Sequence, residues 1–222
     1  MGSKGGKYVR RYLESSVVKP ALFINAFAVN QLTNIKDMLL NNLLNEFYTL
    51  YKKTKISLLL LDRGFFTKKV IRLLIDKNIQ FIMPAVKDRK IKKLVEAYGR
   101  GEILNRIRYQ FGDVKINLLF IKIDKDILVY ATNTRFSPLK VHNLYKNRWQ
   151  IETNFREQNK FTFKSTTIDF NIRYLAFVLG GLIFNAWQLT RNLVPYTLES
   201  YLYKHILLEE ILQLWKEYSG NR

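Results

Sequence analysis

Apolar residues recur along this chain with two periods, and each change of period marks an element. The runs "KYVRRYLESSVV" and "PALFINAFAV" are separated by Lys19-Pro20. Leu13, Val17, Leu22, Ile24 and Phe27 give them apolar faces rich in strand-forming residues, which predicts a β-hairpin. From Ile35 the period changes. Leu39, Leu43, Phe47 and Leu50 follow at helical spacing, with Thr33 or Asn34 able to cap the start. In "KISLLLLDRGFF" the residues Ile56 to Leu61 are apolar but for Ser57, the pattern of a strand covered on both faces of a parallel sheet. Asp62 ends that strand and Arg63-Gly64 turn the chain. Phe66, Val70, Leu73 and Leu74 then make a helical stripe before the strand "IQFIMPAV", so the pattern predicts a strand-helix-strand crossover.

Between Lys87 and Leu139 the pattern shortens. After a basic helical piece, "DRKIKKLVEAYGRG", the segments "EILNRIRYQFG", "KINLLFIKI" and "DILVYATN" alternate or run apolar over strand lengths. Turn residues stand at Gly112-Asp113 and at Asp124 to Asp126. The reading is a β-rich insertion over 87–139, set between a first α/β part at 1–86 and a helical part at 140–222. Past Pro138, "YKNRWQIETNFREQNK" reads as one helix, and "YLAFVLGGLIF", Tyr174 to Phe184, as a buried one.

Charge changes the picture more than composition does. The 222 residues carry 37 lysines and arginines against 18 aspartates and glutamates, a net +19, which implies a polyanionic partner, nucleic acid before any other. A membrane is not expected. The run from Tyr174 to Phe184 is shorter than the roughly 20 residues of a span, with Asn185 and Gln188 beyond it. With no cysteine, disulfides, cysteine-ligated zinc and thiol catalysis are excluded. No signal peptide is read, and the expected compartment is the cytoplasm.

Two places hold candidate chemistry. Asp62 lies at the carboxyl end of a strand entering a crossover, where functional groups of open sheets collect; an aspartate there also caps helices or holds turns, and position alone leaves both readings open. Asp113, Asp124 and Asp126 are better explained by hairpin turns than as metal ligands. On the later helix, at about 100° per residue, Tyr145, Arg148, Glu152 and Arg156 fall within roughly 80° of one another. Alone, these residues make an arginine-glutamate pair on a solvated helix, worth a few tenths of a kcal/mol.

Taken together, "LLLLDRGFF" and "YKNRWQIETNFRE", separated by a β-rich insertion and followed by "FNAWQL", resemble the DDE transposases of prokaryotic insertion sequences, in the group marked by a Y-R-E-K signature. Tyr145, Arg148 and Glu152 match its spacing. The resemblance implies an α/β, ribonuclease-H-like mixed sheet with flanking helices, interrupted by the β-rich insertion. It also implies DNA as substrate and partner, and carboxylates that hold two Mg²⁺ or Mn²⁺ ions. On that mapping Asp62 is the second carboxylate and Glu152 the third. Arg148, Tyr145, Arg156 and Lys160 support them or contact DNA, Arg148 by pairing with phosphate and Tyr145 by donating to the backbone. A homodimer is a further expected association. The signature lysine falls at Asn159, one residue before Lys160. The family's first carboxylate belongs to a strand ahead of a segment that "GSKGGKYVRRY" resembles, so the expectation is a chain lacking that strand. Glu14, Asp37 and Glu46 do not stand in its place. The alternative to a cutting enzyme is a remnant that binds DNA without cutting it. An unrelated RNA- or DNA-binding protein is less favoured, because no RNP-type aromatic motif, basic tail or zinc pattern is present.

Overall fold

The computed structural model describes residues 11–17, 22–29, 36–52, 55–163, 166–167, 169–193 and 199–220. They divide into two units, one formed by Met1–Arg11 with Val29–Arg148 and the other by Tyr12–Ala28 with Trp149–Arg222. The leading strands β1 (Arg11–Val17) and β2 (Leu22–Val29) form a two-stranded sheet, as their pattern predicts.

The first unit is built on the crossover. Its elements are α1 (Lys36–Leu50), β3 (Leu59–Leu60), a 3-10 turn at Arg63–Phe65, α2 (Lys68–Asp76) and β4 (Phe81–Pro84). They continue through α3 (Arg89–Gly99), β5 (Arg106–Phe111), β6 (Val114–Ile123), β7 (Asp126–Thr132) and α4 (Pro138–Lys146). β3 pairs in parallel with β4, as a strand-helix-strand crossover requires. β4–β7, β7–β6 and β6–β5 are antiparallel, giving a five-stranded sheet in the order β3-β4-β7-β6-β5. The strands of the β-rich segment thus extend the sheet that carries Asp62.

Helix starts are set by short polar side chains. Thr67 accepts from the Val70 amide, Asp88 from Ile91 and Ser137 from Lys140, with Pro138 in the first turn of α4. Gly112, at φ +67°, and Asp113 make the two-residue turn between β5 and β6, where a side chain on Gly112 would be strained. Asp113 also pairs with Lys68, at 2.9 Å, and with Arg72, tying this hairpin to α2. Asp124 and Asp126 stand at the β6–β7 turn.

Alternation along the strands serves two apolar layers. Phe81, Met83, Leu118, Phe120, Val129 and Ala131 face one cluster, which α1, α2 and α3 cover through residues such as Leu44, Val70, Ile71 and Ile91. Ile82, Leu119 and Tyr130 face the other, closed by Val141 and Tyr145 of α4. Each fully buried side chain of this kind stabilises by roughly 1.5–3 kcal/mol. The run before Asp62 feeds both layers, Ile56, Leu59 and Leu61 the first and Leu58 and Leu60 the second, which explains why Leu58 to Leu61 are apolar without a break. Its middle is only half-buried, because β3 ends the sheet and has one strand partner among the described residues.

In the second unit α5 (Trp149–Phe161), α6 (Phe170–Leu193) and α7 (Ser200–Gly220) share a small core of Phe161, Phe184 and Trp187, with Phe177, Ile183 and Tyr203 against it. Two expectations need correction. The stretch read as one helix is two, α4 and α5, separated at Asn147–Arg148, where the amides bond three residues back to Leu144 and Tyr145. Asn147 favours such a tight turn over a helix interior. The apolar run at Tyr174–Phe184 is helical but buried along one face only, since α5 covers Phe184 and Trp187 while Leu175, Leu179 and Leu182 face solvent. Its helix continues past Phe184, and Asn171–Arg191 is by length and composition apolar enough to cross a bilayer.

Candidate active site

β3 leaves the sheet at Leu61, whose amide bonds to the Ile82 carbonyl, and Asp62 follows with extended backbone at φ −72° and ψ 157°. Asp62 precedes the 3-10 turn in the capping position, yet its carboxylate makes no capping hydrogen bond. That turn is closed by backbone bonds, Phe65 N to Asp62 O at 2.9 Å and Phe66 N to Arg63 O at 3.0 Å. The structure therefore does not use the Asp62 side chain to hold the turn, and it stands 62% exposed.

Cations surround it. Arg148 Nη2 lies 4.0 Å from Asp62 Oδ1, with its own side chain only 19% exposed. Lys36, at the start of α1, donates to the Gly64 carbonyl at 2.7 Å, and a Cβ on Gly64 would sit 3.6 Å from Lys36 Nζ and 3.9 Å from Asp62 Oδ2. Arg63 follows directly in sequence. Lys36 escaped the sequence reading, which had only its place at a helix start to offer as a signal.

Tyr145 arrives from α4, 84 residues beyond Leu61, and its hydroxyl donates to the Leu61 carbonyl at 3.2 Å. The sequence reading gave that hydroxyl to the DNA backbone; here it is buried and pins the strand end that presents Asp62. Arg148 lies over the Tyr145 ring, 5.5 Å from its centroid, so the tyrosine also supports the guanidinium beside Asp62. Burial pushes the Tyr145 hydroxyl up to about 12, with Arg148 opposing the shift and the Asp62 charge adding to it. The hydroxyl therefore stays a donor at neutral pH. Behind it, the Tyr130 ring packs 5.2 Å from that of Tyr145, and the Tyr130 hydroxyl meets His142 Nδ1 at 2.9 Å. Burial lowers the His142 pKa, with Lys146 adding to the effect, so this ring is held neutral. Neither Tyr130 nor His142 was singled out in the sequence, since both read as ordinary core positions.

The remaining sequence candidates lie in the second unit. Glu152 is on α5, with its side chain outside the described residues. Arg156 and Lys160 follow on α5 and, with Asn159, Thr162, Phe163 and Lys204, line a cleft of about 680 Å³. Lys160 Nζ donates to both Glu157 carboxylate oxygens at 2.8 Å, and Lys204 Nζ donates to the Lys160 carbonyl at 3.2 Å. Lys160 is thus already paired, leaving Arg156 and Lys204 as the cleft's other cations. Among the described residues no three His, Cys, Asp or Glu side chains stand together as a metal-binding group.

The sequence matches the family model of the transposase DDE domain over residues 28–179, and the chain belongs to that family. Its fold resembles the piggyBac transposase in a synaptic complex with hairpin DNA, with a TM-score of 0.58 at 12% identity. That match covers 92% of this chain and 46% of the other, so the chain spans about half the length of that transposase. No curated protein matches the sequence. The fold class is the expected α/β one, a mixed sheet with flanking helices.

Proposed function

We propose that this chain is a DNA transposase, performing metal-dependent phosphoryl transfer on the ends of an insertion sequence, with Asp62 and Glu152 as carboxylate ligands. One observation carries the reading. Tyr145 and Arg148, from a motif more than 80 residues later, converge on the strand end that presents an uncapped and exposed Asp62. A turn-capping aspartate needs no such convergence.

The donor set suits hard cations. Asp62 and Glu152 offer only oxygen, which fits Mg²⁺ or Mn²⁺, and such ions when bound supply charge neutralisation at the phosphate and activation of the attacking water. The other residues have work of their own. Arg148, held by the Tyr145 ring and set beside the carboxylate, is placed to fix a phosphate oxygen through its planar fork of donors. Tyr145 keeps the end of β3 in register. Lys36 fastens the turn after Asp62 and adds positive charge to the approach of a DNA strand.

The test is Mn²⁺-dependent cleavage of DNA that carries the ends of the protein's own element. Asp62→Asn and Glu152→Gln are each expected to lower the rate at least as much as the ~10–100-fold that losing an outer partner of a metal ligand costs. Cleavage indifferent to either change would sink the assignment. A second reading, DNA binding without cutting, draws on Asn159 at the signature lysine position and on the pairing of Lys160 with Glu157. It expects the wild-type chain to bind the same DNA and leave it intact.

A further inference from the structure

Nothing in the fold requires a glycine at position 64. It is the middle residue of the 3-10 turn after Asp62, and, unlike Gly101 and Gly112, it has no positive φ, so any residue fits its backbone. Nor is it crowded. Apart from its chain neighbours, a Cβ there would meet Lys36 Nζ at 3.6 Å and Asp62 Oδ2 at 3.9 Å, ordinary van der Waals distances, and no other atom of the described residues within 4 Å. For the turn alone a side chain would be the better choice, because glycine loses more freedom on folding. What glycine leaves is a gap, open between an ammonium group and a carboxylate oxygen. The ammonium is held in place without being neutralised. Lys36 Nζ donates to the Gly64 carbonyl at 2.7 Å, an uncharged acceptor, whereas Lys160 is closed by both oxygens of Glu157 and Lys68 by Asp113. A lysine carries three donors, so two hydrogens of Lys36 remain for a ligand. Arg148 stands at the other carboxylate oxygen, 4.0 Å from Oδ1, so each oxygen of Asp62 has a cation near it.

With Asp62 read as a carboxylate of a DNA-processing site, we propose that Lys36 binds a non-bridging oxygen of the phosphate brought to Asp62, and that residue 64 is glycine so that this oxygen can enter. Size is the first argument. A phosphate oxygen is no larger than the methyl group the gap would take, and a charge-assisted hydrogen bond of about 2.7–2.9 Å draws it closer to Nζ than a methyl group could come. Charge is the second. A phosphate beside an exposed carboxylate meets repulsion, and Lys36 on one side with Arg148 on the other supplies the chain's own share of the opposing charge. The bond to the turn is the third. Fastening the turn would need only the Gly64 carbonyl, which alanine or serine offers equally well, so a tether by itself leaves the open gap unexplained.

The first measurement needs no cutting. Without divalent metal, the full chain is titrated onto a labelled duplex carrying the ends of its element at several salt concentrations. Lys36→Met should lower the log–log salt slope by about 1, and Lys36→Arg, which keeps the charge, should not. Gly64→Ala should lower the slope likewise while its denaturation midpoint stays or rises, since alanine suits this turn at least as well as glycine. Both changes remove one contact, so the double variant should lose no more slope than either alone. In Mn²⁺ each should slow cleavage by roughly 100-fold or more, the scale of losing one donor aimed at developing charge. The chain has no cysteine, so Lys36→Cys would carry its sole thiol. Alkylation with bromoethylamine, in which the sulfur displaces bromide, rebuilds a side chain of lysine's length and charge, and slope and rate should both return. An unchanged slope in a folded Lys36→Met chain, a Gly64→Ala chain that binds and cuts as the wild type does, or no recovery on alkylation would each overturn the assignment. If the wild type leaves its DNA whole while the slopes fall as stated, the cutting role of Asp62 and Glu152 fails and Lys36 stands as a phosphate contact.

Discussion

Tyr145 holds the site together through one hydrogen bond and one ring face. Removing its hydroxyl in Tyr145→Phe leaves the buried Leu61 carbonyl without that donor, an expected loss of about 1–3 kcal/mol measurable by urea unfolding at pH 7. The loss should depend on pH. With the folded hydroxyl raised to about 12, mainly by burial, and an unfolded tyrosine near 10, the folded state holds more protons between those values. Stability from this group is therefore complete below about pH 10 and declines towards pH 12, so the gap between wild type and Tyr145→Phe should narrow across that window. A constant gap would mean that the hydroxyl is not buried as described. At this scale the sequence told part of the story. The spacing of Tyr145 and Arg148 marked them, and the apolar run marked the strand ending at Asp62. It gave no hint that the tyrosine would point inward, because donation to a backbone carbonyl 84 residues away depends on how α4 lies on the sheet.

Elements with one apolar face were legible because burial and period agree in them. α2 and α3 carry apolar stripes with capping Thr67 and Asp88 before them, and β5 to β7 alternate between turns whose residues announce themselves. The failures lie where two demands share one segment. The break at Asn147–Arg148 was hidden because helical spacing runs on through it, and α6 read as wholly buried because both of its apolar faces were counted as core. Which of those faces is packed rests on Gly180. An alanine there would gain up to about 1 kcal/mol of helix propensity, but its methyl group would stand 3.0 Å from Thr162 Cα and 3.2 Å from its amide nitrogen. Backbone cannot turn aside as a flexible side chain can, and overpacking of this kind costs about 1–3 kcal/mol. Gly180→Ala is thus expected to destabilise the chain on balance, lowering the denaturation midpoint; an unchanged or raised midpoint would show that α6 and the end of α5 are not in this close contact.

For the molecule as a whole the dominant fact is charge, and it yields a prediction that does not depend on whether the chain cuts DNA. The 37 basic residues against 18 acidic ones leave a net charge of +19 that pairing within the chain cannot cancel, and positive side chains stand at both candidate regions: Lys36, Arg63 and Arg148 around Asp62, Arg156 and Lys204 in the cleft of the second unit. Each phosphate neutralised releases counterions, so the observed association constant falls with salt at a log–log slope of about −0.9 per contact in duplex DNA. Six contacts would give a slope near −5, and roughly a thousandfold loss of affinity between 50 and 200 mM salt. Fluorescence anisotropy with a labelled duplex, titrated at four or five salt concentrations, measures this directly. Arg156→Ala and Lys204→Ala should each reduce the slope by about 1 while weakening binding to all sequences alike, as expected of phosphate contacts. A flat salt response in the wild type would remove nucleic acid as the partner that its charge implies.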